Sequence, residues 1–397
     1  MTEATSDSTG REIHRVVWLT LALFLSYLCV AMSLPVTAVY VGTQLGFGNA
    51  LAGLAVGIAF ASTIMTRAMA GRVSDQRGGK YCMVRGLWIY ALAGLVCLGV
   101  CWPGLSSSAA YCVLIVGRLL LGVGESMTLV GLIAWGLGIV GPQRSGQMLA
   151  LVGMGLYGAF AVGGPIGLVL FDEAGFAAVM SACAVVPLIG LAMVLPMPGV
   201  APQPLGNRPT FWSIIGRIWG PGLVVGLQGV GFAAIGAFMP LQFLHRGWSH
   251  AGLGLTCFGV GFVLVRLLFG KLPDRIGGIP VAIASLVVEA AGQYLLWTAA
   301  EPNLAFAGAL LSGLGCSMVF PAMGSEVVRR IPPHLRGTAM GGFAAFQDVA
   351  YGVTGPVTGL LADRFGYGVV FLVGGLAATA ALAIVVSIAQ RNRQPAA

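Results

Sequence analysis

Four ionisable residues lie where ionisable residues are expensive. Arg118, Glu125, Glu289 and Asp348 each sit inside an apolar run long enough to cross a bilayer. A charge in hydrocarbon costs several kcal/mol, so such residues mark ion or substrate pathways by default. Arg118 and Glu125 are separated by close to two helical turns and share one helix face. Asp348 falls midway along a Gly-rich run that also offers Gln347, Tyr351 and Thr354. A carboxylate in a partly dry cavity holds its proton more tightly than in water and can exchange it with substrate. Asp348 is therefore the first proton-coupling candidate, and Glu125 with Arg118 the second. The competing readings are a fixed hydrogen-bond acceptor between helices for Asp348 and a static ion pair for Arg118 and Glu125.

The elements that must hold these residues are membrane helices. Hydrophobic residues make up 57% of the chain and charged residues 9%, with mean hydropathy +0.91. That composition leaves no surface for a soluble domain. Apolar runs give twelve spans: 16–41, 50–70, 82–101, 109–136, 147–170, 174–195, 219–244, 252–269, 281–300, 304–327, 338–361 and 368–389. The first is too long for a signal-peptide core and stays as span 1. The organisation expected is a cytoplasmic tail (1–15), a six-helix bundle (16–195), a Pro-rich basic linker (196–218), a second bundle (219–389) and a short tail (390–397). With the N-terminus inside, the inner segments hold Arg11, Arg15, Arg72, Arg77, Lys80, Arg85, Arg144, Arg208, Arg217, Lys271, Arg275, Arg329, Arg330, Arg336, Arg391 and Arg393. The outer loops hold only Arg246 and Arg364. This asymmetry puts both ends in the cytoplasm, and it explains the net charge of +8 without nucleic acid.

Gly71–Lys80, GRVSDQRGGK, reads as a tight charged hairpin turn between spans 2 and 3. Its pattern Arg67-x3-Gly71-x3-Asp75-x2-Gly78 returns as Arg266-x3-Gly270-x3-Asp274-x2-Gly277, 199 residues later. Gly122-Val-Gly124-Glu125-Ser126-Met127 returns as Gly313-Leu-Gly315-Cys316-Ser317-Met318, and Gly164-Pro165 as Gly355-Pro356, both 191 residues later. Asp172-x2-Gly175 and Asp363-x2-Gly366 share that second offset. The chain is a duplicated six-helix unit in parallel register. Gly359-x3-Asp363-Arg364-Phe-Gly366 also spells the hairpin pattern, but falls on the outer side. The pattern therefore carries weight only between spans 2 and 3.

Over nearly its whole length the chain resembles the major facilitator superfamily. GRVSDQRGGK is similar to that family's signature between spans 2 and 3, with Gln76 standing where an Arg is usual. Arg118-Leu-Leu-Leu-Gly-Val-Gly resembles its span 4 signature. Gly153 through Gly164-Pro165-Ile-Gly167 resembles the span 5 signature of antiporters. Stretches such as FQDVAYGVTGP resemble the arabinose-efflux-permease-like group. The resemblance implies an all-α fold of twelve transmembrane helices in two pseudo-symmetric halves. It also implies a cavity lined by spans 1, 4, 7 and 10, with 2, 5, 8 and 11 flanking. Candidate lining residues are Tyr27, Ser33, Thr37, Tyr40, Tyr157, Gln228, Phe232, Ser317, Phe320, Gln347 and Tyr351. Spans 3, 6, 9 and 12 lie outside that cavity, which makes Glu289 an inter-helix polar contact. A helix N-terminus carries about half a positive charge. Asp75 is accordingly expected to cap the start of span 11 near Gly337, and Asp274 the start of span 5 near Gly146. Arg67, Gly71, Gly78, Lys80, Arg266 and Gly270 complete this latch. Gly164, Pro165, Gly355 and Pro356 are helix-packing hinges.

The function expected is proton-coupled efflux of a small solute by alternating access, in the inner membrane, by a monomer. Import by symport or facilitation is the alternative, and a non-transporting sensor is the rival of another class. No Gly-Lys-Ser/Thr phosphate loop, H-E-x-x-H or G-x-S-x-G is present, so no enzyme, cofactor or metal is expected. The partners expected are solute, protons and lipid. Orientation is directly testable. A fluorescent protein fused after Ala397 should fluoresce, and alkaline phosphatase fused there should be inactive; the opposite pair of results overturns the inside placement.

Overall fold

Backbone inside a bilayer has no water to bond, so each apolar run must close its hydrogen bonds within itself. The computed structural model describes residues 2–141, 145–201, 212–331 and 336–393. Their long helices are α1 (Thr2–Thr43), α2 (Asn49–Arg77), α3 (Gly79–Leu98), α4 (Ser107–Val140), α5 (Ser145–Val194), α6 (Trp212–Arg246) and α7 (Ala251–Phe269). A short α8 (Leu272–Ile276) precedes α9 (Gly278–Thr298), α10 (Pro302–Arg330), α11 (Arg336–Phe365) and α12 (Gly368–Arg393). Spans 5 and 6 form α5, one helical run broken at Gly175. Spans 7 and 8 are α6 and α7. All twelve expected spans are helical.

Three boundaries differ from the sequence reading. The stretch Gly71–Lys80 is not a ten-residue turn. Helix α2 continues to Arg77, and only Gly78 (φ 89°, ψ 155°) leaves the helical region before α3 begins. Nothing in GRVSDQR breaks a helix, so α2 runs past its apolar stretch, and the chain reverses where glycine permits positive φ. Likewise α1 begins at Thr2, so the polar stretch 2–15 extends the first membrane helix. The linker is shorter than expected, because α6 begins at Trp212. Of the inner cations, the side chains of Arg11, Arg144, Arg208, Arg217, Arg336 and Arg393 lie outside the described residues.

The internal repeat extends to backbone geometry. Gly277 (φ 93°, ψ 156°) matches Gly78, and Gly366 (φ 81°) matches Gly175 (φ 77°). The chain divides into two compact units: Met1–Val36 with Ile58–Gly206, and Thr37–Gly57 with Asn207–Ala397. The end of α1 and the start of α2 thus belong with the second unit.

In the first unit, α3 and α4 meet along glycines. A Cβ on Gly79 would strike the backbone of Gly131 and Trp135; one on Gly86 would strike Thr128; one on Gly124 would lie 3.0 Å from the Tyr90 nitrogen. Helix α5 approaches α1 at Gly163 and Gly167, against Ala31 and Met32, and α3 meets α5 where Gly94 faces Ala184. Leu19, Leu23, Met83, Leu132 and Trp135 fill the core. In the second unit, α9 and α10 meet the same way: Gly278 on Ala322, Gly292 on Ser312, and Gly315 on Glu289 and Ser285. Val225, Leu286, Val319, Phe343 and Val385 fill that core.

A glycine seam has no room for a branched side chain. Gly86→Val should lower the thermal midpoint in detergent, by the ~1–3 kcal/mol typical of overpacking. Gly199→Ala, where a Cβ meets Lys80 Cβ at an ordinary 3.5 Å, should leave the midpoint nearly unchanged. Equal midpoints for both variants would contradict the seam.

Candidate functional site

In the first unit the chemistry gathers on α1, α2 and α4. Glu125 on α4 is 5% exposed. Tyr27 Oη on α1 donates to its Oε1 at 2.8 Å, and Thr63 Oγ1 on α2 lies 3.3 Å from its Oε2. Phe160 packs edge-on against the Tyr27 ring. Arg118, two turns earlier on α4, is 1% exposed, and its Nη1 donates to Ser33 Oγ at 2.8 Å. Ser33 in turn lies 3.1 Å from the Val30 carbonyl. The acid and the base on α4 are thus each tied to α1, by Tyr27 and Ser33. Tyr157 is half-buried on α5.

In the second unit a polar cluster joins α6, α9, α10 and α11. Gln228 on α6 is fully buried; its Nε2 donates to Cys316 Sγ at 2.6 Å, and its Oε1 accepts from Gln347 Nε2 at 3.4 Å. Glu289 on α9 is 1% exposed. Its Oε2 has no hydrogen-bond partner among the described residues. Gln293, one turn on, donates to Ser312 Oγ at 3.4 Å. Asp348, 8% exposed, follows Gln347 on α11. Beside this cluster Phe232 stacks at 5.0 Å on Tyr351 and at 5.6 Å on Phe258. Phe320 stacks on Phe343 at 4.9 Å. Ser317 Oγ donates to the Phe262 carbonyl at 2.7 Å, a helix-to-helix bond. Thr37 and Tyr40 are buried on the part of α1 that belongs to this unit.

The residues of the hairpin pattern have local roles. Lys80 Nζ donates to the carbonyls of Leu195 at 2.7 Å and Met197 at 2.6 Å, at the end of α5. That is where a cation meets the negative pole of a helix. Arg266 Nη2 donates to the Ser317 carbonyl at 2.9 Å, with its guanidinium over the Phe262 ring. Arg67 and Asp75 are half-buried on α2, and Asp274 is exposed on α8. Gly71 is buried and Gly270 exposed. Gly146 and Gly337, expected beside the two aspartates, lie outside the residues whose surroundings are described. Gly164 is buried and Pro165 and Pro356 are half-buried within α5 and α11, while Gly355 packs backbone to backbone on Gly53.

Sequence reasoning missed Thr63 and Cys316 as site partners. The repeat could have found Cys316, the counterpart of Glu125. The Tyr27–Glu125 bond joins the first and fourth helices of one repeat, and the Gln228–Cys316 bond joins their counterparts in the other.

Comparison with known proteins bears on what this arrangement is. The family model described as Major Facilitator Superfamily matches residues 19–250 and 222–397. The chain belongs to the major facilitator superfamily. An uncharacterized MFS-type transporter of Salmonella typhimurium is 40% identical over 385 residues, which cover 97% of this chain and 98% of that one. One from Pseudomonas aeruginosa is 37% identical over 401 residues, covering 99% and 98%. Among solved structures, a D-xylose–proton symporter has a TM-score of 0.79 at 17% identity, covering 94% of this chain and 96% of that one. A point mutant of the nucleoside transporter NupG has 0.74 at 14%, covering 94% and 99%. At these identities the structures establish the fold. The protein is a multi-pass membrane transporter of this superfamily, not an enzyme.

Within this superfamily member, Tyr27 is a tie between α1 and α4. Tyr27→Phe should lower stability by about 1–3 kcal/mol, the cost of leaving a buried acceptor short of its donor. Scanning fluorimetry in detergent reads it; an unchanged melting midpoint would show the bond to be dispensable.

Proposed function

We propose that this transporter couples the movement of a small polar or amphipathic solute to protons, by alternating access, with both termini in the cytoplasm. Export by antiport is the direction favoured by the Gly-Pro pattern of span 5. The observation that carries the reading is a set of buried carboxylates: Glu125 and Glu289 in helices long and apolar enough to cross a membrane, and Asp348 in α11, the helix expected as span 11. An ionised carboxylate in hydrocarbon is expensive, and protonation relieves that cost. Such a group suits a proton carrier whose affinity changes as water reaches it from one side or the other. No nucleotide-binding loop offers another energy source.

The roles follow the placement. Asp348, beside Gln347 and one turn before Tyr351, exchanges its proton in competition with solute. Glu125 acts as a second proton site, with Arg118 as its charge partner. Gln228 and Gln347 offer amide donors and acceptors, and Phe232, Tyr351 and Phe320 offer apolar faces. That mixture fits an uncharged or amphipathic solute better than a strongly anionic one. The chain works as a monomer, with lipid around it.

The test uses inverted vesicles with a respiration-driven proton gradient and a pH-sensitive dye. Pentoses, cationic drugs, amino acids and metallophores are added in turn. One class should discharge the gradient through the unmodified protein. Asp348→Asn should abolish the discharge, and Glu125→Gln should reduce it at least tenfold, with both variants still folded. Full discharge by Asp348→Asn would remove its assigned role. Discharge seen only in right-side-out vesicles would reverse the direction.

A further inference from the structure

The copy of the hairpin pattern that the sequence sets aside, at the turn between α11 and α12, holds a helix end. Asp363 Oδ1 accepts from the backbone nitrogen of Asn49 at 3.0 Å and from Asn49 Nδ2 at 2.8 Å. Its Oδ2 accepts from the Ala50 nitrogen at 3.3 Å. Those are the first backbone donors of α2, which have no partner inside the helix. Helix α2 cannot cap itself, because Gly48 precedes it and its first turn has no acid. Tyr367 Oη adds a bond to Asn49 Oδ1 at 2.9 Å. Burial raises the pKa of Tyr367, and nearby Asp363 adds to the rise while the Asn49 bond opposes it, so the hydroxyl remains a donor at neutral pH.

Below this end, α2 and α11 touch backbone to backbone. A Cβ on Gly359 would strike Asn49, one on Gly355 would strike Gly53, and one on Gly57 would strike the Gly352 carbonyl. All of these residues belong to the second compact unit. Contacts of this kind are close-packed but not directional. Asp363 adds directional bonds at one end. They are also exposed to water, so they are strong enough to hold and cheap enough to break.

We propose that Asp363 is a positioning residue of the transport cycle: its carboxylate latches the start of α2 to the end of α11, and release of the latch opens the face assigned to the outside. The proposal rests on the alternating-access reading. Its test needs neither solute nor proton gradient, so the two fail separately.

Cys101 and Cys112 are exposed, so both are changed to Ser. Thr358, 1% exposed and next to Gly359 on α11, becomes the reporter Thr358→Cys. A membrane-impermeant maleimide is added to each face of sealed vesicles in turn. Asp363→Ala should raise labelling from the outer face about fivefold, the order expected for losing a charge-assisted cap. Asp363→Glu should stay within about twofold of the parent. A second reporter, Ala282→Cys, fully buried on α9, should not change. A carboxylate that only capped α2 would let its first turn fray and leave Thr358 buried. Unchanged labelling at Thr358→Cys therefore overturns the latch. So does an equal rise at Ala282→Cys, or a rise from the inner face alone. If Asp363→Ala does not fold, Asp363→Asn keeps the shape but removes the charge and one of the two acceptor oxygens; labelling should rise at least about twofold, and no rise there overturns the proposal equally.

Discussion

The structure depends on backbones coming closer than side chains allow. Lipid tails are as apolar as leucine, so burying leucine against leucine gains little in a membrane, and association rests on close packing and internal polar bonds. Glycine supplies the closeness. Along α3–α4 and α9–α10, glycine after glycine faces the backbone of the neighbouring helix. Polar side chains then need only short reaches to find a neighbouring helix: Ser317 to the Phe262 carbonyl, Ser62 to the Leu119 carbonyl, Tyr27 to Glu125. Without the seams those groups would stand unsatisfied in a medium where each costs several kcal/mol.

The two repeats keep the seams and change the chemistry. Gly124 meets Tyr90 and Gly86 in the first, and Gly315 meets Glu289 and Ser285 in the second, at equivalent positions. Yet the residue after the glycine is Glu125 in one and Cys316 in the other, and the residue across the seam is Tyr90 in one and Glu289 in the other. The buried carboxylate has in effect moved from the fourth helix of one repeat to the third helix of the next. In the first repeat a tyrosine hydroxyl meets it. In the second, an amide bridges cysteine and glutamine nearby.

Spans, duplication and membrane class were legible in the sequence because they depend on composition and period, which need no partner. Gly78 and Gly277 were legible as matching positions of the repeat, and both turn the chain at positive φ. The extent of the turn was not, because the sequence marks where apolar residues end and not where helical hydrogen bonds do. The Thr63 contact with Glu125 was hidden, since a threonine in a helix normally bonds its own backbone, and Thr63 does that as well. The role of Asp363 was hidden for a different reason. A capping aspartate is recognised by what lies opposite it, and its partner at Asn49 is more than three hundred residues away.

The backbone seams have one more consequence, for how such a protein changes over time. Where glycine carries the contact, neighbouring positions are relieved of structural duty. Position 125 and its counterpart 316 hold residues as unlike as glutamate and cysteine on one shared scaffold. The chemistry at such positions can thus be exchanged by a few substitutions beside the seams, without rebuilding the frame. A scaffold of this kind is open to new side chains for as long as its glycines are kept.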